Sequence, residues 1–303
     1  MKSVTKAKMD KLNFYIVDVF AEEKYQGNQL AVFTATPDLT GEQMQQIAKE
    51  MNYSETTFVL SSEQRAGGYD VRIFTPAQEV PFAGHPTLGT AFIIQREIIQ
   101  EPVERVNLNL AIGQIPVTLH YQQERVDILW MQQKPPTFHQ IIEGERVAEV
   151  LNLEVGDLDS RFPIREVSTG IPFMIVPLRT HAALKRAKVN RDKYFQLIEG
   201  TEAKCIFLFC PETNKPENDL SARMFGDYLG VPEDPATGSA NGCLAGYLVE
   251  YGYFGEGGID LRVEQGYEMG RPSLLLLKAH KENGEISVSV GGKAIAIAKG
   301  EFV

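Results

Sequence analysis

The sequence predicts an α+β protein made of two similar lobes. Short β-branched or aromatic runs recur along all 303 residues, helical patterns are few, and one segment recurs halfway along the chain. Strands that are numerous and short, with few helices between them, argue against a doubly wound parallel sheet.

The elements follow in order. Residues 14–20 are apolar and β-branched and read as a first strand. Gly27-Asn28 turns the chain into a second strand over 29–33. Thr40 and Gln43 have capping-box spacing and open a helix that runs to about Met51. Strands are predicted over 56–60 and 70–75, the second after a Gly67-Gly68 turn. Residues 92–99 read as helical, with Pro86 near the start. Further strands are predicted over 105–110, 114–120 and 126–131, and Pro135-Pro136 then breaks the chain.

The repeat pairs Arg72-Ile73-Phe74, five intervening residues and Val80-Pro81 with Arg223-Met224-Phe225, five intervening residues and Val231-Pro232. Arg72 and Arg223 stand 151 positions apart, and four of the ten positions are identical. Each copy then reaches a glycine, Gly84 or Gly238, and an apolar helical stretch. A weaker echo pairs Gly27-Asn28-Gln29-Leu30 with Gly170-Ile171-Pro172-Phe173. The expected division is an N-terminal lobe over 1–130 and a C-terminal lobe over 131–286. A return of the last strand, about 287–303, to the first lobe is left open. The second copy is three residues longer before its glycine and carries Glu233, Asp234 and Pro235 there. Carboxylates inserted where symmetry does not require them suggest chemistry; an acidic helix cap is the plainer alternative.

Composition narrows the function classes. Hydrophobic residues are 43% and charged residues 23%, as in ordinary globular chains, and the formal net charge is −10. No basic face points to nucleic acid or to an anionic membrane, and no apolar run approaches a membrane span. Three cysteines, Cys205, Cys210 and Cys243, do not form a disulfide framework, which favours a reducing cytoplasm. The basic start, residues 1–11, has no apolar stretch after it and does not read as a secretory signal. The scattered histidines show no metal-ligand spacing, and no Walker loop, dinucleotide fingerprint or nucleophile elbow is present.

Two turns suit an anion. Residues 82–89 and 234–242 are small-residue segments entering apolar helices, where free backbone N–H groups bind carboxylates or phosphates. Close helix packing through Gly and Ala is the alternative for each. Related by a pseudo-twofold, the two helix starts would face one another across a cleft fit for a small carboxylate. His85, between Gly84 and Pro86, can swing its imidazole toward that cleft or serve as a structural histidine. Glu55 stands where a helix gives way to an apolar strand. Desolvation there would raise its pKa and suit it to carry a proton near neutral pH; an exposed glutamate is the alternative.

Taken together, the motifs resemble the PhzF-type phenazine-biosynthesis family, which is similar in fold to diaminopimelate epimerase. The resemblance runs from Asp18-Val19-Phe20 to the end of the chain. It rests on Gly27-Asn28 before Leu30-Ala31-Val32-Phe33, Ser54-Glu55-Thr56-Thr57-Phe58-Val59, Arg72-Ile73-Phe74-Thr75-Pro76 and Pro81-Phe82-Ala83-Gly84-His85-Pro86. Glu233-Asp234-Pro235-Ala236-Thr237-Gly238-Ser239-Ala240, Gln265-Gly266 and Gly270-Arg271-Pro272-Ser273 complete it.

The resemblance implies two pseudo-symmetric lobes, each a curled, mostly antiparallel sheet around a central helix, in a homodimer without cofactor or metal. It implies that Glu55 shuttles a proton, that His85 and Asp234 assist, and that Ser54, Gly84, Gly238 and Ser239 hold a small carboxylated substrate. The epimerases of this fold use one cysteine from each lobe; here those turns hold Ala83 and Pro235, or residues beside them. The implied reaction is a cofactor-independent isomerisation, with trans-2,3-dihydro-3-hydroxyanthranilate as the substrate of the phenazine-pathway members. A non-catalytic small-molecule-binding or scaffold protein and a cofactor-independent amino-acid epimerase are the alternatives.

Overall fold

The computed structural model describes residues 12–36 and 38–303. The basic N-terminal stretch discussed above, residues 1–11, lies outside them. The first half of the chain runs β1 (Leu12–Val19), β2 (Asn28–Phe33), α1 (Gly41–Met51), β3 (Glu55–Val59), β4 (Tyr69–Phe74), β5 (Glu79–Val80), α2 (Gly84–Ile93), β6 (Arg105–Leu110), β7 (Gly113–Gln122) and β8 (Arg125–Gln132). The second half runs β9 (Thr137–Ile141), α3 (Gly144–Leu151), β10 (Arg165–Ser168), β11 (Pro172–Pro177), α4 (His181–Arg186), α5 (Arg191–Ile198), β12 (Cys205–Cys210), β13 (Leu220–Gly226), β14 (Val231–Asp234), α6 (Gly238–Glu250), β15 (Ile259–Gln265), β16 (Ser273–Glu282), β17 (Glu285–Gly292) and β18 (Ala294–Phe302).

The duplication seen in ten residues extends through the whole topology. β1–β2 and β10–β11 are antiparallel, β2–β3 and β11–β12 parallel, and β3–β4 and β12–β13 antiparallel. β4–β6 and β13–β15 are parallel, and each is followed by an antiparallel meander, β6–β7–β8 or β15–β16–β17. β8 pairs with β17 and joins the two sheets. The outer strand of each lobe differs in origin. β9, the first strand of its half, pairs with β10, whereas β18, the last strand of the chain, returns to pair with β1.

Each sheet curls around one helix. α2 packs against β1, β2, β3, β6, β7, β8 and β18, and α6 against β10, β11, β15, β16 and β17. All ten residues of α2 are buried, as are 238–248 of α6, because both are apolar or small all round. Small residues also let the sheet close in. A Cβ at Gly89 would sit 2.6 Å from Leu30 Cδ2 and 2.7 Å from Val19 Cγ2. The main core runs through both lobes around these helices. A second core lies between α3, α4, α5 and the outer face of the second sheet, and a third lies beneath α1.

The predicted capping box at Thr40 and Gln43 forms at the start of α1. The helix expected over 92–99 begins earlier. α2 starts at Gly84 with Pro86 in its first turn, and 94–99 form a π-helical continuation.

Candidate active site

The site forms where the two central helices begin. The residue before α2 is Ala83 and the residue before α6 is Thr237; neither side chain caps its helix. The first amides of each helix therefore have no intrahelical acceptor, and both positive dipole ends point to one place. The two starts touch rather than face each other across a gap. A Cβ at Gly84 would lie 3.0 Å from Ser239 N and 3.1 Å from Gly238 Cα. Ser239 is buried beside this contact.

Asp234, at the end of β14 and four residues before α6, is 6% exposed. Its Oδ1 accepts from Asn28 Nδ2 at 2.8 Å and from Ser54 Oγ at 3.3 Å, and its Oδ2 accepts from Thr237 Oγ1 at 2.5 Å. Gln265, at the end of β15, fixes this arrangement. Its Nε2 donates to Asp234 O (2.8 Å) and Thr237 Oγ1 (3.0 Å), and its Oε1 accepts from Thr237 N (3.1 Å) and Asn241 Nδ2 (3.0 Å). With Gln265 donating to Thr237 Oγ1, the threonine hydroxyl proton is left to point at Asp234. Burial raises the Asp234 pKa to about 6, against the three donors, which lower it.

Glu55 and His85 complete the cluster. His85, in the first turn of α2, is 4% exposed, and its Nε2 lies 3.5 Å from Glu55 Oε2. Both atoms are buried, and neither has a hydrogen-bond partner among the described residues. His85 Nδ1 lies 3.3 Å from Asn28 Nδ2. Asn28 Nδ2 already gives its two protons to Asp234 Oδ1 and Ala236 O, so Nδ1 carries the ring proton toward the Gln29 backbone carbonyl and Nε2 is bare beside Glu55. Burial drives the His85 pKa down to about 3, opposed by a backbone hydrogen bond at Gln29, so the ring is neutral at physiological pH. Burial first, and then the charge of Asp234, raises Glu55 to about 8. A carboxyl that titrates near neutrality and lacks a partner is suited to proton transfer.

The seven residues expected from the sequence, Glu55, His85, Asp234, Ser54, Gly84, Gly238 and Ser239, thus lie in one cluster. Three others were not anticipated. Asn28, Thr237 and Gln265 stand in quoted motifs to which no role was given. Of the two inserted carboxylates, only Asp234 faces the site. Glu233 forms a bidentate pair with Arg223 (2.8 and 2.9 Å), just as Glu79 does with Arg72 in the first half (2.7 and 2.6 Å). The residue that matches Ala83 ahead of its helix is Thr237, not Pro235. At the strand position of Glu55, paired with Leu30 in β2, the second half has Cys205, paired with Phe173 in β11. Burial pushes that thiol up to about 12. Among the described residues, no group of three or more His, Cys, Asp or Glu is placed to hold a metal ion, and no helix is long and apolar enough to cross a membrane.

The model of the PhzC-PhzF family, described as phenazine biosynthesis-like protein, matches residues 17–300. The chain belongs to this family. It is 37% identical over 290 residues to the trans-2,3-dihydro-3-hydroxyanthranilate isomerase of Pseudomonas aeruginosa, covering 95% of this chain and 98% of that one. It is 31% identical over 299 residues to an uncharacterized isomerase of Clostridium acetobutylicum, covering 97% and 98%. The crystal structure of a Bacillus anthracis PhzF-family protein superposes with a TM-score of 0.89 at 27% identity, covering 97% of this chain and all of that one. A probable proline racemase from Agrobacterium radiobacter shares the fold with a TM-score of 0.63 at 11% identity. The chain is a PhzF-like isomerase with the two-lobed architecture of this group.

Proposed function

We propose that this chain is a cofactor-independent isomerase that moves one proton within a small, cyclic, carboxylated substrate of the trans-2,3-dihydro-3-hydroxyanthranilate kind. The observation that carries the reading is the pair Glu55 Oε2 and His85 Nε2, buried, unpartnered and 3.5 Å apart. The ionised Glu55 carboxylate takes a proton from a ring C–H, and the electron pair of that bond moves into the conjugated system. Glu55 then returns the proton to a second ring carbon on the same face, so atoms and charge balance. Neutral His85, its Nε2 bare, stands beside Glu55 and orients the carboxyl once it holds the proton. Asp234, held by Asn28, Ser54 and Thr237, positions the amine or hydroxyl of the substrate. The uncapped starts of α2 and α6, with Gly84, Gly238 and Ser239, receive its carboxylate.

A second base on the opposite face has no counterpart, since Cys205 occupies the equivalent strand position with its thiol held protonated; this supports isomerisation over epimerisation. The same proposal includes a lobe division near residue 130 with residues 294–302 in the first lobe, which the β1–β18 ladder supports. A homodimer rests on the family resemblance, and a cytoplasmic location on the three free cysteines.

The test is turnover of trans-2,3-dihydro-3-hydroxyanthranilate in deuterated water, followed by proton NMR. The parent is expected to convert the substrate, with deuterium entering the reprotonated carbon to the extent that the proton on Glu55 exchanges with solvent before its return, and Glu55→Gln to lose about 1,000-fold or more in rate. Equal rates in the two would remove Glu55 from this role. No turnover by the parent would remove the substrate.

A further inference from the structure

The connections β1–β2 and β10–β11 of the two sheets differ in length. β1 and β2 are joined by residues 20–27, which lie across the second half. Phe20 N–H donates to Lys293 O (2.7 Å), Leu274 N–H to Phe20 O (2.9 Å) and Gly27 N–H to Pro272 O (3.0 Å). That segment thus seats against the β15–β16 connection and the residue after β17. The matching link between β10 and β11 is only residues 169–171. Opposite it, beside the equivalent β6–β7 turn and the residues after β8, lies a cavity of about 280 Å³. The short link leaves uncovered what the long one fills on the other side.

The walls of this cavity include Phe82, Ile112, Ile115, Pro116 and Ile171. Its polar groups are mostly engaged. Thr169 Oγ1 donates to Gln133 Oε1 at 2.6 Å, and Gln133 Nε2 donates to Gly238 O at 3.0 Å. Lys134, at the rim, is exposed and makes no ion pair with any described residue. The cavity lies just under the roughly 300–1,000 Å³ of sites for drug-sized ligands and above the ~150 Å³ that admits benzene. None of Glu55, His85 and Asp234 lines it.

We propose that this cavity is a second small-molecule site, which takes a monocarboxylate with one ring or one branched alkyl group. The apolar part sits among Phe82, Ile115 and Ile171, and the carboxylate lies against Lys134. Charge selects the occupant, because a single unpaired ammonium, Lys134, borders a mostly apolar chamber. The site is separate from the proton-transfer cluster and does not depend on the reaction proposed above.

The probe is phenylacetate, with 2-phenylethanol as its uncharged counterpart, titrated calorimetrically into the full chain. Phenylacetate is expected to bind with a Kd of about 1 mM or tighter. Lys134→Gln is expected to weaken phenylacetate by about fivefold, the scale of one exposed ion pair, and to leave 2-phenylethanol unchanged. Ile115→Trp, which fills the chamber, is expected to abolish both, and Glu55→Gln to alter neither. Lys134 is exposed, so its variant keeps the test open should Ile115→Trp fail to fold. Three outcomes would overturn the proposal. These are no binding by the parent at about 10 mM, binding indifferent to Lys134→Gln, and binding lost in Glu55→Gln, which would put the probe in the catalytic cluster. Self-association that Ile115→Trp removes would instead assign the chamber to a second copy of the chain.

Discussion

The raised pKa of Glu55 has a thermodynamic signature that can be measured without any substrate. Its carboxyl titrates at about 8 in the folded protein, against an ordinary 4.5. The folded state therefore keeps a proton that the unfolded chain has released. Stability falls by about 1.36 kcal/mol for each pH unit over which this difference holds. The contribution is fully present below pH 4.5 and is lost as pH rises through 8. His85, driven down to about 3, acts in the opposite sense between about 3 and 6.5, and Asp234, raised to about 6, has largely finished by pH 6.5. From pH 6.5 to 8, Glu55 is thus the dominant member of the cluster. Integrated over that window, its share is roughly 1.6 kcal/mol. Glu55→Gln removes the titration and keeps the shape. Urea denaturation of parent and variant at pH 6.5, 7, 7.5 and 8 is expected to show the parent losing roughly 1.6 kcal/mol more than the variant. Parallel stability curves would refute both the desolvated carboxyl and the proton-carrier role built on it.

Two further outcomes follow from the geometry. Gly84→Ala places a methyl 3.0 Å from Ser239 N and 3.1 Å from Gly238 Cα, which forces the two helix starts apart. It is expected to cost about 1–3 kcal/mol in thermal or urea unfolding and to lower turnover. Gln265→Leu strands Thr237 N, leaves Asn241 Nδ2 only its bond to Thr237 O, and frees the Thr237 hydroxyl to rotate away from Asp234. A stability loss of about 2–3 kcal/mol and a displaced pH–rate profile are expected, and an unchanged profile would deny Gln265 its hold on Asp234.

Much of this was legible in the sequence because local chemistry wrote it there. Thr40 and Gln43 announce α1 by a reciprocal cap that needs no tertiary contact. The Arg72 and Arg223 segments announce the duplication because both keep the arginine that pairs with a carboxylate a few residues later. What escaped was long-range. Asn28 reaches Asp234 and Ala236 across 206 and 208 positions, and nothing near Asn28 foretells that partner. Gln265 matters only because β15 ends beneath the start of α6. Glu233 and Asp234 are neighbours of the same chemical type, and only the alternation of side chains along β14 sends one to Arg223 and the other to the site. α2 starts ahead of the 92–99 pattern because the small-residue turn at 84–89 is itself helical, and proline is tolerated in a first helical turn.

The pairing of β18 with β1 also sets how the first lobe can be taken apart. β9, the outer strand of the second half, precedes in sequence the strands it closes, whereas β18 reaches β1 only after the whole second half has intervened. Without β18 the first sheet has an unfilled edge, a row of unpaired N–H and C=O groups along β1. Removing β18 would therefore open the lobe that holds Glu55 and His85 and leave the lobe that holds Asp234 with its own edge strand in place.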